Sequence, residues 1–144
     1  MTDASAAGSP RTVVVANVDE TVCEVLARIV ERGGHTAVRV TDADQAAAAV
    51  LSAGADAVVL DLGAATVEQL RALRGGGAQR GVDTRAIVIS TGPANALLAW
   101  QAGADAVLTR PFAAQALEDE LAASLARGDD ERSARRAEQV AALS

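Results

Sequence analysis

The sequence predicts a three-layer α/β domain built on a parallel sheet, and three observations carry that prediction. Short, continuous apolar runs alternate five times with stretches whose apolar residues recur at helical spacing. Strands that are apolar throughout are buried on both faces, as happens when right-handed crossovers place helices on either side of a parallel sheet. Composition supplies the third: 144 residues, 50% hydrophobic and 22% charged, suffice for one domain with one core. Trp100 and Phe112 are the only aromatic residues, so that core must come from Val, Leu, Ile and Ala.

Met1 to Pro10 is small and polar without periodicity and reads as a disordered lead-in. Thr12 to Ala16 is β-branched and apolar, the first strand. Val22, Val25, Leu26, Ile29 and Val30 then repeat as a helix that Gly33-Gly34 stops. Thr36 to Val40 is the second strand, and Thr41-Asp42 offers N-cap chemistry to a helix over Ala43 to Ala53. The third strand, Ala57 to Leu62, is interrupted only by Asp61, and a helix over Thr66 to Arg74 ends at Gly75-Gly76-Gly77. Strand four spans Ala86 to Ser90, helix four Pro93 to Ala102, strand five Ala106 to Thr109 and helix five Ala113 to Arg127. From Gly128 the composition turns charged, and 128–144 reads either as a solvated tail or as the start of a linker helix; fewer than three heptads favour the tail. The sequence around Ala53-Gly54-Ala55-Asp56 recurs as Ala102-Gly103-Ala104-Asp105, which helix-ending glycines explain without any function.

Charge narrows the function. All 13 basic residues are arginine, against 19 acidic ones, for a net charge of −6. That balance lacks the positive footprint of a domain that grips nucleic acid by its phosphates. Residues 86–104 are uncharged, but Gly92-Pro93 and Ser90, Thr91, Asn95 and Gln101 interrupt them, so no transmembrane helix is expected. One cysteine, Cys23, cannot form an internal disulfide, and a cytoplasmic setting is expected.

In open parallel sheets the working groups lie beyond the carboxyl ends of the strands. There the sequence places Asn17, Val18 and Asp19, then Asp61, then Ser90 and Thr91, then Thr109-Arg110-Pro111. Asp61 ends the run Val58-Val59-Leu60, and a carboxylate there is costly to bury without a partner. Asp61, Ser90 behind Ile87-Val88-Ile89, and Ala102-Gly103-Ala104-Asp105 running on to Arg110-Pro111-Phe112 resemble the receiver domain of bacterial response regulators, over residues 11–127.

The resemblance implies a CheY-like, flavodoxin-like (βα)5 doubly wound sheet of five parallel strands in the order 2-1-3-4-5, and a phosphorelay signalling domain rather than an enzyme. By position Asp61 matches the phosphoacceptor, and Ser90 and Arg110 the groups that contact the phosphoryl. The family's acidic metal pair falls on Asn17 and Val18, its lysine on Arg110 and its switch aromatic on Val107, and the Leu62 to Ala65 loop lacks the usual Met-Pro and Asp-Gly. Mg²⁺ takes oxygen ligands in a near-octahedral array. With a valine and an amide at the pair, metal could fall only on Asp61, Gly63 and the displaced Asp19, and weakly. Impaired phosphorylation of Asp61 and action through protein contacts are therefore expected, with a histidine kinase, an output domain or another signalling protein as partner.

Alternatives remain at each point. Asp61 reads as a structural carboxylate paired with Arg110, or as a working phosphoacceptor with Asp19 holding the metal. A flavodoxin-like small-ligand binder is a third class, although no glycine-rich phosphate loop follows strand one. Asn17 reads as a loop residue bonding its own backbone, His35 as an exposed loop residue and Cys23 as an inert, partly buried thiol. Trp100, with Val107, marks the face between helix four, strand five and helix five. There an exposed indole would anchor a partner or a second copy, unless it folds into the space left at Val107.

Overall fold

β1 (Thr12–Asn17) and α1 (Glu20–Arg32) lead into β2 (Thr36–Val40), a 3-10 turn (Ala43–Gln45) and α2 (Ala46–Ala53). β3 (Ala57–Asp61), α3 (Ala65–Gly75), a short α4 (Gln79–Asp83), β4 (Arg85–Ser90) and α5 (Pro93–Ala102) follow. The chain closes through β5 (Ala106–Thr109), α6 (Ala114–Ala126) and α7 (Asp129–Leu143). The computed structural model describes residues 11–144, so the lead-in expected over Met1 to Pro10 lies outside the described residues. The five strands form one parallel sheet in the order β2-β1-β3-β4-β5.

The strand period of two sorts the core into two layers. Val14, Ala16, Val58, Leu60 and Val88 pack beneath α2, α3 and α5, with Leu70, Leu73 and Trp100. Val13, Val15, Val59, Ile87 and Ile89 pack beneath α1 and α6, with Leu26, Val30, Leu117 and Leu121. The strand residues turned to each layer are apolar, which explains why the strands carry no polar alternation. α1 starts where Asp19 Oδ1 accepts the N–H groups of Thr21 and Val22, at 2.9 and 3.1 Å. Gly54 and Gly103 end α2 and α5 with φ of 61° and 109°, the left-handed conformation that favours glycine.

The repeated Ala-Gly-Ala-Asp segment does more than end helices. After each glycine the aspartate accepts a backbone N–H from the neighbouring strand: Asp56 Oδ2 from Thr12 (3.0 Å) and Asp105 Oδ2 from Ala86 (2.8 Å). Each carboxylate thus fastens the start of β3 or β5 to its neighbour.

Two further expectations change. His35 is half-buried rather than exposed, and its Nδ1 accepts the Arg11 N–H at 3.2 Å. Residues 129–143 are not a solvated tail, nor a helix that leaves the domain, but α7 docked back along α5. Its inward stripe, Arg132, Arg135, Arg136, Gln139 and Val140, follows helical spacing with arginine where apolar residues would be sought. Among the described residues no helix is long and apolar enough to cross a membrane.

Candidate functional site at the carboxyl edge of the sheet

Asn17 and Asp61 end adjacent strands in direct register, so their side chains emerge side by side at the carboxyl edge. Asp61 is 8% exposed, and both its oxygens are engaged. Arg110, the residue directly after the paired end of β5, forks onto it: Nη1 donates to Oδ1 at 2.8 Å, and Nη2 donates to Oδ2. Asn17 Nδ2 also donates to Oδ2, at 2.6 Å. A bidentate, charge-assisted pair of this kind is among the stronger hydrogen-bonded contacts. The bond to Asp61 in turn holds Arg110 above its ordinary pKa.

Asn17 does two jobs. Its Oδ1 accepts the Asp19 N–H at 2.8 Å, closing an Asx turn that directs the chain into α1, while its amide reaches Asp61. The sequence suggests the first bond; the second depends on the β1–β3 register. Asp19 is exposed and caps α1, and Val18 between them is 59% exposed. Gly63, at φ 60°, turns the chain out of β3 beside the site.

Ser90 ends β4, but its hydroxyl serves its own loop, donating to the Gly92 carbonyl at 2.9 Å and accepting the Gly92 N–H at 3.1 Å. Thr66 Oγ1 likewise accepts the Leu62 N–H at 2.9 Å, pinning the short loop after β3. Between them opens a cavity of about 430 Å³ lined by Asp61, Gly63, Thr66, Ser90, Thr91 and Asn95, among others. The sheet therefore brings Asn17, Asp61, Gly63, Ser90 and Arg110 to one edge.

A hard divalent cation does not fit this donor set. Mg²⁺ needs several free oxygens, yet Arg110 and Asn17 occupy the Asp61 carboxylate, and the Asn17 carbonyl oxygen and Asp19 Oδ1 both accept backbone N–H groups. Among the described residues no cluster of three or more acidic, histidine or cysteine side chains is arranged to hold a metal. Arg110 and Asn17 together make three hydrogen bonds to the Asp61 carboxylate, out of about four that its two oxygens can accept.

Trp100 and Val107 lie away from this edge. The structure does not leave Trp100 on an open surface: it is 5% exposed, packed in the layer that Val107 and Val140 adjoin, with Arg135 stacked over its ring at 5.4 Å. Val107 is partly buried against the same layer, and α7 packs along α5 with Arg135 over the indole. The reason is the C-terminal helix, which a search for apolar heptads does not reveal. Cys23 is buried and donates to the Val15 carbonyl at 3.4 Å, and burial pushes its thiol pKa up, away from reactivity.

No protein-family model matches the sequence, and no curated protein matches it in sequence. Solved structures do match in shape. The chemotaxis protein CheY4 of Vibrio cholerae superposes with a TM-score of 0.70 at 17% identity, over 81% of this chain and 99% of that one. A response regulator signal receiver domain from Bermanella marisrubri gives 0.72 at 19% identity, over 81% and 99%. The receiver domain of the sensor histidine kinase PA1611 from Pseudomonas aeruginosa, a structure with magnesium coordinated in its active-site cleft, gives 0.72 at 18% identity, over 83% and 100%. With the strand order 2-1-3-4-5 and helices on both faces, the chain has the CheY-like fold of response-regulator receiver domains.

Proposed function

We propose that this chain is a receiver-type signalling domain of a two-component phosphorelay in which a standing ion pair replaces the phosphorylation switch. The supporting observation is the fork of Arg110 on Asp61, completed by Asn17. A receiver passes on a signal when a strand-three aspartate takes a phosphoryl group with a metal beside it. Here the guanidinium is committed to the carboxylate oxygens themselves, and arginine's planar fork matches a carboxylate better than lysine's point charge does. The domain then works through protein contacts: with a histidine kinase, with an output domain, or with another signalling protein of the same pathway. It works in the cytoplasm and is not itself an enzyme. A metal held by Asp19 is disfavoured because that side chain caps α1.

Amide NMR spectra recorded with and without Mg²⁺ and acetyl phosphate test the reading. Resonances of β3, β4, β5 and the Arg110 loop are expected to stay in place. Shifts that spread from Asp61 to Ser90 and Val107 on addition of both reagents would overturn it.

A further inference from the structure

α7 is held to the domain in an unusual way. Its docked face is led by arginines, and they converge on one carboxylate. Asp105, 3% exposed, accepts from Arg132 Nε at 2.7 Å, from Arg136 Nη2 at 3.1 Å and from Arg74 Nη2 at 2.9 Å. The remaining guanidinium N–H groups reach backbone carbonyls: Arg132 those of Val82 and Thr84, Arg136 that of Ala104, and Arg135 that of Asp105. Arg132 is the one buried residue of the helix. Apart from the Trp100 ring, which Arg135 covers, apolar contact is limited: Val140 is only partly buried, and a cleft of about 750 Å³, walled by Trp100, Ala102, Arg136 and Val140, stays open between α5 and α7.

The seat is built on charge. Without α7, Asp105 is matched by Arg74 alone, one anion to one cation. Docking adds Arg132 and Arg136, so three guanidiniums face one carboxylate. Burial, reinforced by the neighbouring Arg136 and Arg132 charges, pulls Arg74 down to about 10 against the pull of Asp105. Asp129 and Glu120 stand 3.5 and 4.0 Å from Arg132 and Arg135, on the outer side of the helix and on α6, and soften the excess without removing it. Every hydrogen-bond acceptor that α7 satisfies in the groove is a carboxylate or carbonyl that water can satisfy in its absence. Elements with few buried apolar contacts and exchangeable hydrogen bonds open at the low-stability end of a fold.

We propose that the groove formed by α5, the Gly103–Asp105 turn and the Val82–Thr84 segment is a docking site for a helix bearing arginines at positions i, i+3 and i+4, and that α7 is its resident, releasable occupant. A partner helix of the same pattern competes with α7 for the groove, so docked α7 guards the Trp100 face against it. The groove reads side chains by charge and fork geometry, with Trp100 stacking one guanidinium, which is the helix-in-groove mode with cationic anchors. The proposal goes beyond the reading of Asp61 and does not depend on it.

The test uses the full chain carrying Arg132→Gln and Arg136→Gln, two substitutions confined to α7. Trp100 emission should shift to the red, and trypsin should cut at Arg135 roughly tenfold faster or more, while the domain keeps its cooperative thermal transition. A synthetic peptide of residues 128–144 should then bind this variant and return the emission to the blue, whereas the same peptide carrying Gln at 132 and 136 should not. Wild-type emission and cleavage in the variant would overturn the proposal, because the arginines would not be what seats the helix. So would loss of the whole fold, which would make α7 part of the core, and so would equal binding of the two peptides, which would show that the groove does not read arginine.

Discussion

Trp100→Ala separates a core indole from a surface anchor. The side chain is 5% exposed, between the Val88 layer of the sheet and α7, with Arg135 over its face. Truncating a buried Trp removes its transfer free energy and leaves a cavity, together costing ~3–5 kcal/mol. Unfolding entropy near 2.1 cal/mol/K per residue gives roughly 0.3 kcal/mol/K for a chain of this length, so the midpoint should fall by roughly 10–17 °C. Far-UV circular dichroism against temperature reads that directly. Leu98→Ala, on the same helix but 43% exposed, is the control. A surface substitution costs no more than about 0.5 kcal/mol, or roughly 2 °C on the same scale. Equal small shifts for the two variants, with wild-type emission typical of a hydrated indole, would refute the placement of Trp100 in the core.

Restoring a metal set by Asn17→Asp, Val18→Asp and Arg110→Lys should produce saturable Mg²⁺ binding by calorimetry where the wild type shows none; a flat titration would mean that these positions do not face Asp61. Burial would raise the pKa of Asp105, but hydrogen bonds from Arg132 and the Ala86 N–H, with the nearby arginine charges, outweigh it and leave the carboxyl below its ordinary value. A carboxylate with a depressed folded pKa contributes stability that is present above the unfolded value near ~3.9 and is lost as pH falls through the folded one. The Asp105 contribution should therefore hold from pH ~5 to 8 and fade below ~4, and Asp105→Asn should flatten that acid limb. Burial, helped by the Arg11 charge, holds His35 below its ordinary pKa. Its neutral form is the folded form, so stability should drop as pH falls below ~6.5 and on through the folded value, and His35→Gln should remove that step in a series of thermal midpoints.

Most of the fold was legible because parallel strands buried on both faces leave unbroken apolar runs, and Gly33, Gly54 and Gly103 mark helix ends. Strand boundaries such as Ala57 and Thr109 could be read to within a residue or so for that reason. α7 was not legible. Burying an arginine requires a carboxylate supplied from elsewhere, and nothing local to Arg132 shows that Asp105, distant in sequence, provides it. The same holds for the Ala-Gly-Ala-Asp repeat: its glycines announce themselves, while the strand-fastening role of Asp56 and Asp105 appears only once neighbouring strands are in register. At the candidate site the sequence named the residues, and Asp61 beside Arg110 could be posed as a pair. The contact of Asn17 with Asp61 and the turning of Ser90 into its own loop needed coordinates.

The proposed function requires that Asp61, held in its ion pair with Arg110, does not accept phosphoryl. Intact-mass spectrometry of the full chain after incubation with acetyl phosphate and Mg²⁺ addresses it most directly. The developing charge of phosphoryl transfer needs a cation placed to stabilise it, and the Asp61 oxygens that would share such a cation are bound to Arg110 and Asn17. The mass should remain that of the unmodified protein. A stoichiometric phosphoryl adduct that disappears in Asp61→Asn would contradict the account.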